Sequence, residues 1–534
     1  MKVLALNFNH DAAIVVIDNG EIMHYKLAER LSRIKHDHDT DLLLGDFHEK
    51  GLTRKHFYDK IVCTNFQHYT VTNTSKVQYQ QILFPIFDFI DFADFEVCLH
   101  KHHLYHAFSG FHNSGFDEAV IITSDGGGSL YGQNLYEDGY SLQEHTCITH
   151  IKYPNNIVSH FKYFHKLNDF AIDFQKNSIP FDFEIDMEKS PGWNFERKCE
   201  ELGFDHLDAG KVMGLSQCIG NEDKIDKKWK SQVIDCNELQ KRSQDRILNI
   251  IKTAIEKTGC KNVVLSGGFA YNCVANYYYL KHLTDINLYI DPIANDVGIA
   301  LGASYYHYYQ IPFAKQNRRK LEHVYLGHEE SEYKTIGLNK QNVTYKDVAK
   351  LISEGNIVAL FQGKSEIGQR ALGNRSLLFD PRSIDGKDIV NVVKKRESFR
   401  PFAGTILLEK VNDWFDMRGL EESPFMLYAV DAKEGVKEKV PAVIHYDNTC
   451  RVQTVTKKQN KHFYNLIEEF QTLTGIPILL NTSFNIAGEP LVETFIDALI
   501  TLNNSDIDYL YLPEISTLIT VKKGELKPWI RMNK

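Results

Sequence analysis

The feature that most constrains this chain is a polar run set among apolar ones. Ile367-Gly-Gln-Arg-Ala-Leu-Gly-Asn-Arg-Ser-Leu-Leu-Phe-Asp-Pro-Arg382 packs three arginines, two glycines and the side chains of Gln369, Asn374 and Ser376 into a segment with no sustained helical or strand period. Apolar runs near it, Ile357–Phe361, Gly404–Leu408 and Ile476–Leu480, read as β-strands, so this half of the chain builds a sheet whose connections carry charge. Two more polar clusters adjoin those runs: Lys394-Lys-Arg-Glu-Ser-Phe-Arg400-Pro-Phe-Ala and Asn481-Thr-Ser-Phe-Asn485-Ile-Ala-Gly488-Glu-Pro490. One such cluster is equally well explained as a solvated basic face. Three beside strands point to phosphate, because a guanidinium binds phosphate through two parallel hydrogen bonds and glycine lets backbone N–H groups approach an oxyanion.

With 534 residues the chain is too long for one core. Hydrophobic content of 43% and charged content of 25% are those of a soluble globular protein. The amino terminus turns polar too early for a signal peptide, and no apolar run approaches membrane-spanning length. Nine scattered cysteines without a C-x-x-C pair read as reduced thiols in a cytoplasmic protein, not as a disulfide framework or a zinc ribbon. A net charge of −9 gives no overall attraction to nucleic acid, which leaves only local patches such as Lys227-Lys228-Trp229-Lys230 and Arg318-Arg319-Lys320.

In the first half, Val3–Asn7, Ala12–Ile17 and Ile22–Ala28 read as strands, the last two joined through Asn19-Gly20. Further strands at Lys60–Thr64, Glu118–Thr123 and Asn262–Leu265 alternate with helices at Leu99–Phe111, Gln244–Lys257 and Asp296–Tyr309, the order of an α/β domain with covered sheets. Residues 153–241 are the least patterned and read as an insertion or subdomain. The pattern breaks between Ile311 and Asn342, which places a boundary there and divides the chain into 1–325 and 326–534.

His102 and His106 are four apart on the Leu99–Phe111 helix, so both imidazoles share one face and reach one ion. Alone this pair is weak evidence for metal. It gains from Asp125, which ends a strand and opens Asp125-Gly-Gly-Gly128, and from Asp296, for which helix capping is the competing explanation. Mixed His/Asp ligation favours a borderline or hard divalent ion of the Fe, Mn, Zn or Mg class. His103 and His112 lack this spacing logic and read as packing histidines. Gly126, Gly127, Gly267, Gly268 and Asn272 lie where a strand gives way to a glycine turn, a place for close backbone approach to a nucleotide. Neither segment is a Walker A loop or a G-x-G-x-x-G fingerprint, which argues against P-loop and Rossmann folds.

Taken together these stretches resemble the O-carbamoyltransferase family almost end to end. The shared motifs include Asn9-His10-Asp11-Ala12-Ala13, Ala28–Asp37, His102–Ala107, Ser124–Gly128, Gly210–Leu215, Ser266–Asn272, Ile367–Arg382, Lys394–Ala403, Arg451–Val455 and Asn481–Pro490. Two departures are Gln369, where family members commonly have proline, and a shorter acidic run after Ala28. The resemblance implies an N-terminal actin/Hsp70-like ATPase domain, similar to the tRNA threonylcarbamoyl transferases, followed by a YrdC-like α/β domain. In the latter, Lys394-x-Arg396 and Ser483-Phe-Asn485 look like the YrdC signatures.

The resemblance also implies the chemistry: carbamoyl phosphate and ATP give carbamoyl-AMP, and the carbamoyl group then passes to an acceptor hydroxyl. On this basis Lys364, Arg370, Arg375, Lys394, Arg396 and Arg400 are expected at the phosphates, with Ser376, Ser483 and Asn485 as neutral donors. The metal set is His102, His106, Asp125 and Asp296. His10 is the candidate base, and Lys35 or His36 steers the carbonyl or substrate. The acceptor expected from the family is a sugar-containing natural product or similar small molecule, met by a monomer or homodimer. An AT-rich coding bias, seen as lysine outnumbering arginine nearly threefold, keeps a hydroxymethylated pyrimidine open, as a nucleotide or in DNA. Competing classes are a nucleotide-sensing module without turnover, threonylcarbamoyl transfer to tRNA, and a simple metallohydrolase, which leaves the second half unexplained.

Overall fold

The computed structural model describes all residues except 9, 54–55, 65–89, 99, 135–138, 167–181, 187, 313, 315–319 and 527–534. Asn9 of the first motif and Arg318-Arg319 of the basic patch therefore lie outside the described residues. By its internal contacts the chain forms two compact units. The first comprises Met1–Ala209, Ser243–Tyr271 and Leu283–Leu321; the second comprises Gly210–Arg242, Asn272–His282 and Glu322–Lys534. Gly210–Arg242 and Asn272–His282 thus group with the second unit, which a single cut after residue 325 does not allow.

The first unit repeats one topology twice. In its first sheet the strand Lys2–Asn7 pairs antiparallel with Ala13–Asp18, which turns back into Glu21–Leu27; on its other side Lys2–Asn7 runs parallel to Lys60–Thr64, and that to Phe95–Cys98. In the second sheet Glu118–Ser124 takes the place of the first strand. Gly139–Lys152 and Asn156–Lys166 form the antiparallel wing, and Asn262–Ser266 and Asn287–Ile290 the parallel one. A short strand, Asp182–Ile185, extends the second sheet at its antiparallel edge. This duplicated order is that of the actin/Hsp70-like ATPase fold. The helices Val297–Tyr308 and His102–Ser114 cover one sheet each and pack on one another. Both are buried almost all round, between the layers.

The second unit is α/β, as the YrdC-like expectation requires, with a ten-stranded mixed sheet. Tyr345–Ser353 and Lys461–Thr474 cover one face, burying Val348, Ile352, Phe463, Leu466, Ile467 and Phe470 against Leu378 and Leu479. The arginine-rich run does contain a strand, Arg375–Phe379, which pairs antiparallel with Val358–Phe361 and Ile478–Ser483. It is buried on both faces, so its sequence lacks the alternation by which a half-exposed strand is recognised. Within residues 153–241, Asn156–Lys166 is an integral strand of the second sheet, and the helices Pro191–Glu201 and Ala209–Ser216 follow it, so these parts are not an insertion. Among the described residues no helix is long and apolar enough to cross a membrane. All nine cysteines are free and buried.

Candidate functional site

In the first unit, four strand and helix ends converge. Asp125 follows the strand Glu118–Ser124, Asp296 precedes the helix Val297–Tyr308, and His102 and His106 share one face of His102–Ser114. One donor atom from each of the four lies within 4.8 Å of the others. His106 Nε2 stands 3.1 Å from Asp125 Oδ2 and 3.3 Å from Asp296 Oδ1, and His102 Nε2 is 3.5 and 3.7 Å from the same oxygens. Asp296 makes no side-chain cap to its helix, so capping does not explain it. His106 is fully buried, and neither its ring nitrogens nor Asp125 Oδ2 makes a well-aligned hydrogen bond among the described residues. Buried donors left in this state around two carboxylates fit a divalent ion. Without one, a proton takes its place. Burial opposes the charge on His106, but the carboxylates of Asp125 and Asp296, 3.1 and 3.3 Å from its Nε2, outweigh it and push its pKa up to about 9.

His10 enters from the turn after the first strand, its Nε2 3.4 Å from Asp296 Oδ2. Burial works against its protonation, while Asp296, Asp11 and Asp125 together hold it above the ordinary histidine value. Asp11 adopts positive φ and receives His36 Nδ1 at 2.7 Å and Asn295 Nδ2 at 2.9 Å, tying the His10 turn to the residue beside Asp296. Lys35 is exposed, its ammonium 3.9 Å from Asp208.

Sequence reasoning missed Glu196. The helix Pro191–Glu201 docks on the Asp125–Gly126 turn: Ser190 Oγ caps the helix at Trp193 N and donates to Gly126 O at 3.1 Å. A Cβ on Gly192 would stand 2.6 Å from Asp125 C and Gly126 N. One on Gly126 would stand 1.9 Å from Glu196 Oε1, so the carboxyl lies directly against the glycine turn. Burial, then the charge of Asp125, raises the pKa of Glu196 to about 7. Gly127 and Gly128 are pressed by Gln143 and by His103 and Glu144, while Gly267 and Gly268 press on Ser124 and the Asp125 carboxylate. These glycines let elements meet around Asp125. His103, fully buried, stands 3.5 Å from Glu144, and His112 stacks on Tyr309, as packing histidines do.

In the second unit the basic residues separate into two kinds. Arg375 is fully buried, and its guanidinium donates to the carbonyls of Gln362, Gly363, Asn374, His328 and Glu493 while covering the Phe361 ring. It organises the fold and has no donor to spare for phosphate, contrary to its sequence assignment. Ser376 Oγ accepts a hydrogen bond from Gly373 N at 3.0 Å. Lys364 is exposed, and its carbonyl accepts from Asn374. Lys394 meets Ser483 and Asn485 as its motif anticipates, but its buried ammonium is surrounded by their backbone and side-chain oxygens, so it shapes that turn. Asn272 caps the helix Cys273–His282 through Ala275 N and exchanges two hydrogen bonds with Gln240. Lys227–Lys230 is a short helix with Trp229 buried.

The second kind is a cluster of Arg370, Arg396, Arg400 and Arg451. Arg396 is held by Asn391 Oδ1 at 2.8 Å and Pro401 O at 3.1 Å over the Phe402 ring. Burial and the charges of Arg400 and Arg451 depress it strongly. Arg451 projects from the strand Thr449–Val455, and burial followed by repulsion from Arg370 lowers it to about 9. Its Nε has no hydrogen-bond partner among the described residues. Arg451 stood in a recognised motif without a role; its period-two strand context gave no sign that it faces other arginines.

Family profiles described as Carbamoyltransferase N-terminus and Carbamoyltransferase C-terminus match residues 224–305 and 349–518. Nodulation protein NolO of Bradyrhizobium diazoefficiens is 30% identical, over 80% of this chain and 80% of that protein. Nodulation protein NolNO of Sinorhizobium fredii is 28% identical over 98% of this chain and 81% of that protein. Among solved structures, full-length HypF in its phosphate- and nucleotide-bound form aligns at a TM-score of 0.34 and 12% identity, covering 59% of this chain and 56% of that one. The duplicated strand order, not this likeness, gives the fold.

Proposed function

The chain belongs to the carbamoyltransferase family, and on that premise we propose that it is an ATP-dependent O-carbamoyltransferase acting through carbamoyl-AMP. The observation that carries this is the cluster of Arg370, Arg396, Arg400 and Arg451 in the second unit, where burial and the neighbouring cations lower the pKa of Arg396 and Arg451. Such a concentration of cations is unfavourable alone and suits a polyanion. There, carbamoyl phosphate and water give carbamate and inorganic phosphate; a carbamate oxygen then attacks the α-phosphorus of ATP and pyrophosphate leaves. The arginines hold the phosphate oxygens and offset charge developing at phosphorus. Lys394 maintains the Ser483–Asn485 turn as the wall of that site.

In the first unit the acceptor hydroxyl attacks the carbamoyl carbon, AMP departs, and the hydroxyl proton passes to a base. His102, His106, Asp125 and Asp296 would hold a divalent ion, which would supply positive charge against a phosphate and the two carboxylates. His10, whose Nε2 lies 3.4 Å from Asp296 Oδ2, is the base that accepts the hydroxyl proton. Glu196 lines the same turn as a carboxyl poised near neutrality. The acceptor class we assign is a hydroxyl on a sugar-containing or similar small molecule. An acceptor screen with carbamoyl-labelled carbamoyl phosphate and ATP tests it: label should move to a hydroxyl compound only when both are present. Transfer without ATP would overturn the adenylate route.

A further inference from the structure

The arginine-rich loop turns its own amides inward. Glu366 is fully buried, and its Oε1 accepts from Leu372 N at 2.7 Å, Asn374 N at 2.9 Å and Arg375 N at 3.4 Å. The amide between them, Gly373 N, donates to Ser376 Oγ at 3.0 Å. The carbonyls are committed as well. Ala371 O accepts from Asn481 Nδ2 at 3.4 Å, Leu372 O from Tyr325 Oη and Gln453 Nε2 at 2.8 Å each, and Gly373 O from Gln362 Nε2 at 2.7 Å. Only glycine serves at 373, where φ is +112° and a Cβ would stand 2.3 Å from Phe463 Cδ1. Glu366 is itself fixed, because Ile367 N donates to Val324 O at 2.8 Å and Tyr325 bridges to Glu366 as an isolated antiparallel pair.

The glycines of this loop therefore do not open its backbone to a ligand. Amides that a phosphate would seek are already gathered on an internal carboxylate. Immediately before the tied segment stands Arg370, half-buried. We propose that Glu366 is a positioning residue of the anion site: its carboxylate stands in as a resident anion that closes the turn and so sets Arg370 beside Arg451. The consequence for donor binding rests on the assignment of the arginine cluster to carbamoyl phosphate. Three N–H groups on one charged oxygen make charge-assisted hydrogen bonds, stronger than those an amide oxygen accepts. Glu366→Gln is the informative change. Glu366 Oε2 has no hydrogen-bond partner among the described residues, so the glutamine NH₂ displaces none, and shape is kept while charge is lost.

Two measurements on the full chain test this. The first is hydrogen exchange of residues 370–376, resolved by mass spectrometry, in wild type and E366Q. Exchange there should quicken by about tenfold or more while the rest of the sheet keeps its protection. Unchanged exchange overturns the clamp. The second is the KM for carbamoyl phosphate at saturating ATP, followed by pyrophosphate release, in E366Q, R370A and the double variant. E366Q should raise KM about tenfold with little change in kcat, and the double variant should be no worse than R370A within about twofold. Penalties that multiply would show that Glu366 does not act through Arg370 and overturn the proposal. Glu366→Asp, which keeps the charge one methylene shorter, should fall between wild type and E366Q in both readouts. If wild type releases no pyrophosphate with carbamoyl phosphate, the donor assignment has failed. Calorimetric binding of inorganic pyrophosphate then judges Glu366 alone: weakening by E366Q that vanishes in the R370A background supports the positioning role, and no weakening refutes it.

Discussion

Metal-free protein should lose stability as the pH rises past neutrality, and His106 should be the largest single cause. Its folded pKa of about 9 exceeds the ordinary value of 6.5 because Asp125 and Asp296 face it inside the fold. A group whose folded pKa is raised stabilises fully below its unfolded value and loses that contribution as pH climbs through the folded one. The window is therefore from about pH 6.5 to above 9, and a difference of two to three units is worth about 3 kcal/mol. His106 is fully buried, so solvent screening takes little from this figure. The assay is urea unfolding of chelator-treated wild type and His106→Asn at pH 6.5 and 9.5. Wild type should lose about 3 kcal/mol more across that interval than the variant, whose remaining slope reports His10 and His36. Excess divalent ion should abolish the difference in wild type, since the cation replaces the proton, with close to one proton released per ion bound at neutral pH. Equal pH slopes in wild type and variant would refute the assignment of that proton to His106.

Other outcomes follow from the same geometry. Arg451→Ala should cut carbamoyl-AMP synthesis by about a hundredfold or more while leaving stability unchanged or improved, because it removes a self-repelling charge. Arg375→Ala should instead cost about 3–5 kcal/mol in unfolding experiments, because five backbone carbonyls lose their donor in the core. Glu196→Gln should stabilise chelated protein by about 2–3 kcal/mol at pH 8 and by nothing at pH 4.5. An acid raised to about 7 makes the wild-type fold lose stability between its unfolded value of 4.5 and that pH. Gly192→Ala should lower the melting temperature, since the added methyl meets the Asp125–Gly126 backbone at 2.6 Å.

Much of the first unit is legible in sequence because its strands are short, apolar and punctuated: Ala12–Ile17 and Ile22–Ala28 about Asn19-Gly20 announce the hairpin that the structure contains. The His102/His106 pair follows from helical spacing alone, since one face of a helix sets both rings. Glu196 is invisible to that logic, because nothing within Pro191–Glu201 tells that Gly192 and Ser190 dock it on a turn nearly seventy residues earlier. Residue type and neighbourhood misled at Arg375. An arginine in a glycine-rich run reads as a ligand, and only tertiary structure shows that backbone carbonyls use all its donors. Arg451 reverses the case: an unremarkable strand residue joins the cluster because neighbouring strands bring Arg396 and Arg400 near it.

The most direct test of the account is the fate of ATP. Purified protein incubated with α-phosphate-labelled ATP and carbamoyl phosphate should form AMP-containing product and pyrophosphate, both only when carbamoyl phosphate is present. Omitting the acceptor should let carbamoyl-AMP accumulate. His10→Ala should leave that half-reaction intact while blocking transfer, and Arg451→Ala should abolish it. Conversion of ATP to ADP, or pyrophosphate release that ignores carbamoyl phosphate, would contradict it.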